Sequence, residues 1–192
     1  MRLVVVRYGF WVGLLACLMA TGPRGSAQEQ SVPISPEAQE QIKQLDAKDA
    51  YVRQKAFLEL EALREPATAA IVRRYLDNKD PETRALSVRA LAAVEGAAAI
   101  PTLVDRMKND RHPSVRLAAV LALEPLKDPS VTPAFIERLR DRSPQVRMAA
   151  VDVVSRLDDP PARAAIRLRR RREHNRDVQR VLQEAMERVG KP

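Results

Sequence analysis

Arginine supplies the side chains in this sequence most able to do chemistry. Arg53, Arg84, Arg116 and Arg147 recur at separations of 31 or 32 residues, while Arg163, Arg167, Arg169, Arg170, Arg171, Arg172 and Arg176 crowd into one short stretch. A guanidinium presents its N–H donors in a rigid planar fork, so either set could grip carboxylates or phosphates bidentately. For the recurring four, pairing with aspartates of neighbouring turns, such as Asp49, Asp80 and Asp110, is the structural reading, and it makes them a repeat ladder rather than a ligand site. For the crowded seven two readings stay open: a polar cap for the end of the fold, or an anion and partner contact.

Other chemistries have few residues to use. His112 and His174 are the only histidines, and neither has Cys or paired carboxylates at metal-ligand spacing. Asp158-Asp159 precedes two prolines and reads as a helix-capping turn. No phosphate-binding glycine loop or Ser-His-Asp constellation is recognisable. The expectation is a protein that is not an enzyme, with no catalytic residue, no metal ligand and no cofactor.

The elements that must position the arginines follow from composition and period. The chain has 192 residues, 6 Gly and 14 Pro, with Ala, Leu, Arg and Val dominant, which favours an all-α protein. Its formal charge of +8 is uneven. Residues 28 to 159 hold 20 basic against 21 acidic side chains, and residues 160 to 192 hold 10 against 4, so the basicity belongs to one end.

Arg2 and Arg7 accompany an apolar run from Tyr8 to Ala20, followed by Gly25, Ser26 and Ala27. That order is a secretory signal peptide over residues 1–27, with cleavage after Ala27 and a periplasmic or extracellular destination. The alternative is a lipoprotein: Leu14-Leu15-Ala16-Cys17 resembles a lipobox, in which Cys17 would carry the anchor. Cys17 is the single cysteine, so a chain cut after Ala27 forms no disulfide and no zinc-thiolate site.

Within each unit the apolar positions step at helical spacing. Val52, Ala56, Leu60 and Leu63 share one stripe, and the same columns read Thr83, Ser87, Leu91, Val94, then Val115, Ala119, Leu123, Leu126, then Val146, Ala150, Val154, Leu157, then Val178, Leu182, Met186, Val189. Asp49, Asp80, Ser143 and Asn175 stand at the N-cap position of these helices, with His112 the exception in that column and Asp110 expected to cap in its place; Pro81, Pro113 and Pro144 follow the cap column directly in three units. Shorter second helices fit Ala67–Leu76, Ala97–Met107, Val131–Arg140 and Ala162–Arg172, and Ser35-Pro36 opens an extra helix at the start. Short turns between such helices force antiparallel hairpins.

The D-P-x-V-R-x-x-A-type helix start and the 31-residue period resemble HEAT-like repeats of the short class first associated with phycobilin lyases. The resemblance implies a right-handed α-solenoid of about five helix pairs over residues 35–189, with units starting near 49, 80, 112, 143 and 175, after a short linker at 28–34. Residues 160–176 form its Arg-rich C-terminal segment. One iron-dependent hydroxylase family on similar repeats holds metal with His-Glu dipeptides, and none occurs here. The leading expectation is a non-catalytic protein–protein interaction scaffold whose partner sits on the concave, second-helix face. A polyanion or anionic membrane-surface binder using the C-terminal arginines is the alternative, with an acidic protein, a polyanion or anionic lipid as its partner. Nucleic acid is disfavoured because no aromatic residue lies in the arginine run. A lyase or cofactor-attachment role rests on the family analogy alone, and export argues against it.

Overall fold

The computed structural model describes residues 33–157 and 159–189; the expected signal peptide over residues 1–27, with Cys17, and Asp158 lie outside the described residues. Every regular element described is helical. Ten α-helices follow in chain order: α1 (Pro36–Gln44), α2 (Ala50–Leu63), α3 (Ala69–Arg73), α4 (Pro81–Glu95), α5 (Ile100–Asn109), α6 (Pro113–Leu123), α7 (Thr132–Arg138), α8 (Pro144–Ser155), α9 (Pro160–Arg170) and α10 (Arg176–Val189). Single 3₁₀ turns extend α3 at both ends, precede α5 and α7, and follow α6.

The even-numbered helices from α2 to α10 pack side by side in sequence order. The short odd-numbered helices α3, α5, α7 and α9 each lie against the following even-numbered helix, and α5, α7 and α9 touch in turn. This is an α-solenoid of antiparallel helix pairs. Its fifth unit is represented, among the described residues, by α10 alone, while α1 covers α2 at the other end.

Side-chain caps start most helices. Ser35 Oγ accepts from Ala38 N–H, Asp49 Oδ1 from Tyr51 N–H, Asp80 from Glu82 and Thr83 N–H, and Asn175 Oδ1 from Asp177 and Val178 N–H. Ser143 departs from the expected pattern, because its hydroxyl turns to Gln145 and makes no cap bond. His112 caps weakly, its Nδ1 lying 3.3 Å from Ser114 N; Asp110 receives the His112 N–H itself instead of substituting for the cap. Helix ends use left-handed backbone. Arg64 stands at φ 53 after α2 and Lys127 at φ 51 after the 3₁₀ turn that follows α6. Gly96 adopts φ 56 with ψ −127 where α4 stops, a combination that penalises any residue with a Cβ.

The stripe columns form the core. Ala56, Ser87, Ala119 and Ala150 are all fully buried, and their small size lets α2, α4, α6 and α8 approach closely. Leu60, Leu91, Leu123 and Val154 fill the space beside them. The first unit is looser, with Leu63 38% exposed. Pro81–Asn109 is apolar enough by composition to cross a membrane, yet Leu86, Val88, Leu91, Val94, Leu103 and Met107 are buried among neighbouring helices, which accounts for that composition. Phe57 and Tyr75 meet edge to face at 5.4 Å, and Tyr75 Oη donates to Asp46.

Candidate functional site

The recurring arginines are built into the turns between units. Nη1 of Arg53, Arg84, Arg116 and Arg147 donates to the backbone carbonyls six and five residues earlier, at 2.8–3.2 Å. The other edge of the fork reaches the next unit. Arg84 grips Asp110 at 2.9 and 3.0 Å, Arg116 grips Asp141 at 2.8 and 2.7 Å, and Arg147 grips Glu173 with both bonds at 2.9 Å. These carboxylates also accept turn N–H groups: Asp110 from His112, Asp141 from Ser143, and Glu173 from His174 and Asn175. Each rung thus ties two consecutive turns to each other.

The ladder closes at both ends. Arg53 has Asn78 at the position where later units place the acid, and makes only a 3.5 Å bond to the half-exposed Asp80. Gln179, in the arginine column of the last unit, keeps the bond to the earlier carbonyl, donating to Glu173 O at 2.7 Å, and carries no charge needing a further acid. Asp49 was expected among the pairing aspartates; it caps α2 and pairs with no arginine. Asp141 and Glu173, which sequence reasoning missed, carry two of the rungs. The signal was an acid two residues before each cap position, at Asp110, Asp141 and Glu173.

Burial raises the carboxyls of Asp110 and Asp141, but the facing guanidinium and the turn N–H outweigh it, so both lie below the ordinary range. Burial likewise opposes ionisation of Glu173, yet the hydrogen bonds from Arg147, Asn175 N–H and Arg169 bring it down to about 2. The linkage sign follows. A depressed carboxyl stabilises the fold fully above its unfolded value, 4.5 for Glu173, and that contribution disappears as pH falls towards about 2. For Glu173 it is on the order of 3 kcal/mol, since its side chain is almost wholly buried. Urea unfolding should therefore show a steady loss of stability below pH 4.5, reduced in Glu173→Gln; a flat profile down to pH 2.5 would contradict the rungs.

The crowded arginines do not form one cluster. Arg169 donates through Nε and Nη2 to Glu173, so it supports the last rung. Arg163 is half-buried on α9, while Arg167, Arg170, Arg171, Arg172 and Arg176 are exposed on α9, the following turn and the start of α10. Arg170 stands in line with the buried Leu76, Met107 and Leu139, but it points to solvent and Ile166 serves the core instead. His174 is exposed in the last turn, and Asp159 caps α9 through Ala162 N–H.

A groove on the second-helix face lies between α7 and α9. Ile136, Leu139, Ala165 and the 41%-exposed Leu168 make an apolar floor to a groove of about 340 Å³, and Arg140 and Arg172 stand at its rim. Among the described residues no group of three or more His, Cys, Asp or Glu is placed to hold a metal ion.

The model for HEAT repeats matches residues 38–124 and again 101–187, together most of the chain. The chain belongs to the HEAT repeat family. The HEAT stack is also similar to a solved chain from the complex of CpcE and CpcF of phycocyanin lyase from Nostoc sp. PCC7120, at 21% identity and a TM-score of 0.65, over 77% of this chain and 96% of that one. No curated protein sequence matches. The likeness corrects the leading functional expectation. A HEAT stack of this architecture occurs in a complex that is a lyase, which runs against the expectation of a non-catalytic scaffold.

Proposed function

We propose that this HEAT protein has a lyase-related role and works as one member of a two-protein assembly, presenting the α7/α9 groove to an apolar, anionic moiety. The groove carries the reading: an apolar floor takes the body of such a moiety, and the guanidinium groups of Arg140 and Arg172, free of partners in the fold, meet its negative charge. The likeness to a chain from a two-protein lyase supports it. The buried carboxylates Asp141 and Glu173 are fully engaged in rungs, so in this reading the proton-transfer groups come from the substrate or the partner protein. Export was expected to argue against a lyase role, so the two proposals meet only if the assembly acts outside the cytoplasm, with the chain beginning at Gln28 or anchored through Cys17.

The test uses tagged chain recovered from its native cell. A second protein should accompany it in fixed ratio, and the pair together should form or cleave a bond by elimination or addition where neither protein alone does. Intact mass of the recovered chain reads the leader. Leu168→Glu, at a half-exposed position, should leave thermal unfolding nearly unchanged and lower that conversion about ten-fold, the equivalent of losing one well-buried apolar contact. A chain recovered alone, or a pair indifferent to Leu168→Glu, would sink the proposal.

A further inference from the structure

A second row of cations runs beside the arginine ladder. Lys48, Lys79, Arg111 and Arg142 each precede the cap position of an even-numbered helix, at the same 31- or 32-residue spacing, and all four are exposed. Their backbone carbonyls accept from ladder arginines at 2.9, 3.2, 3.2 and 3.2 Å, so each turn is pinned while its side chain projects from it without a partner. The near-neutral charge of residues 28–159 hides this row, because the balancing acids are spent on ladder rungs and helix caps.

Two crevices open between these turns. The larger, about 500 Å³, lies between the α5–α6 and α7–α8 turns. Asp110 and Asp141 on its wall are already taken by Arg84 and Arg116, and Glu137 is shared by Lys108 at 3.3 Å and Arg138 at 2.5 Å. Arg111, Arg140 and Arg142 are left with unpaired guanidinium groups around it. The smaller, about 280 Å³, lies between the α3–α4 and α5–α6 turns, and Arg106 pairs there with Asp77. Each crevice also holds a buried guanidinium donor with no acceptor: Arg138 Nε in the larger and Arg106 Nε in the smaller.

We infer that this edge binds an extended acidic segment of a partner protein, one carboxylate seated in each crevice. Spacing argues for a peptide. Neighbouring helices pack roughly 8–10 Å apart, and a polyproline-II segment advances about 9 Å every three residues with those residues on one face. Carboxylates at every third position therefore match successive turns. A polyphosphate backbone would bring charge against Asp77, Asp110, Glu137 and Asp141 between the cation sites, where discrete carboxylates need not. None of Tyr51, Phe57, Tyr75 or Phe135 lines either crevice to stack a base or anchor in a lipid interface. This edge does not use the apolar floor of the α7/α9 groove but shares Arg140 and Glu137 with its rim; the inference does not rest on the lyase-related reading, which Leu168→Glu tests separately.

The experiment measures fluorescence anisotropy of two labelled peptides with one composition, Glu at every third position in a Pro/Ala background or the same Glu residues in one block. The spaced peptide should bind the full chain more tightly than the blocked one. Arg111→Gln/Arg140→Gln/Arg142→Gln should weaken it about ten-fold at low salt, the sum of three exposed pairings. These side chains are exposed, so thermal unfolding should not move. Arg170→Gln/Arg171→Gln, outside the crevices, should leave peptide binding unchanged. Arg111→Glu/Arg142→Glu should prefer a spaced Lys peptide to the Glu peptide, which a merely damaged fold would not do. Equal binding of the two Glu peptides, indifference to the triple substitution, or binding of heparin or phosphatidylserine vesicles without the spaced peptide would each overturn the inference.

Discussion

Arg116→Met should cost about 3–5 kcal/mol of stability, the usual penalty for stranding a buried charge. The guanidinium of Arg116 meets Asp141 with two bonds at 2.8 and 2.7 Å, and the Asp141 side chain is only 2% exposed. Removing the cation leaves that carboxylate with Ser143 N–H and a long 3.4 Å contact to Arg138, and frees the Asp110 and Arg111 carbonyls of their donor. The second substitution Asp141→Asn should recover much of the loss, because a neutral amide tolerates the site far better than a lone charge. Arg53→Met is the internal comparison. Its partner Asp80 is 41% exposed at 3.5 Å, so the change should cost about 1 kcal/mol or less. Urea denaturation of the three variants beside the unaltered chain reads these differences, and a similar loss for Arg53→Met and Arg116→Met would show that the rungs do not carry the stack.

The contrast between those rungs also shows what the sequence made legible. The helices were readable because their signals repeat locally: an apolar stripe at steps of 4, 4 and 3, a cap residue, and a proline at the first helical position. The ladder's arginines were readable for the same reason. Of their partners Asp110 was readable, but Asp141 and Glu173 were not, since a rung joins residues 25 or 26 apart and the acid changes from Asp110 and Asp141 to Glu173, with Asn78 in the first unit. Asp49 stands beside the helix start and spends its carboxylate on the cap, and Asp80, which also caps its helix, keeps only a long 3.5 Å bond to Arg53. The α7/α9 groove was hidden for a different reason. Leu168 and Ile136 lie 32 residues apart, and only the solenoid brings α7 and α9 side by side. Function was harder still, because the residues that define a HEAT unit are consumed by turns, core and rungs and leave little mark of the ligand.

Val115→Asp and Val178→Asp test whether the stack is quasi-linear, because the two valines occupy the same column and are both fully buried. Val115 lies on α6, packed among α4, α5 and α8, so units on both sides depend on it. A carboxylate there has no partner and must be buried neutral or expose its surroundings, at a cost on the order of 4 kcal/mol. That is a large share of the 5–15 kcal/mol typical of a whole domain, so global melting should move strongly downward. Val178 lies on α10, which packs against α8 and α9 with no later described helix beyond it. In a stack held by nearest-neighbour contacts, the chain escapes the same penalty by releasing α10 while α2 to α8 remain folded. Hydrogen exchange should then show lost protection confined to α10 in Val178→Asp, and lost protection across α4 to α8 in Val115→Asp. Equal melting and equal exchange patterns would mean that the units fold as one indivisible core, and the ladder would then be a consequence of that core rather than the means by which each unit is fastened to the next.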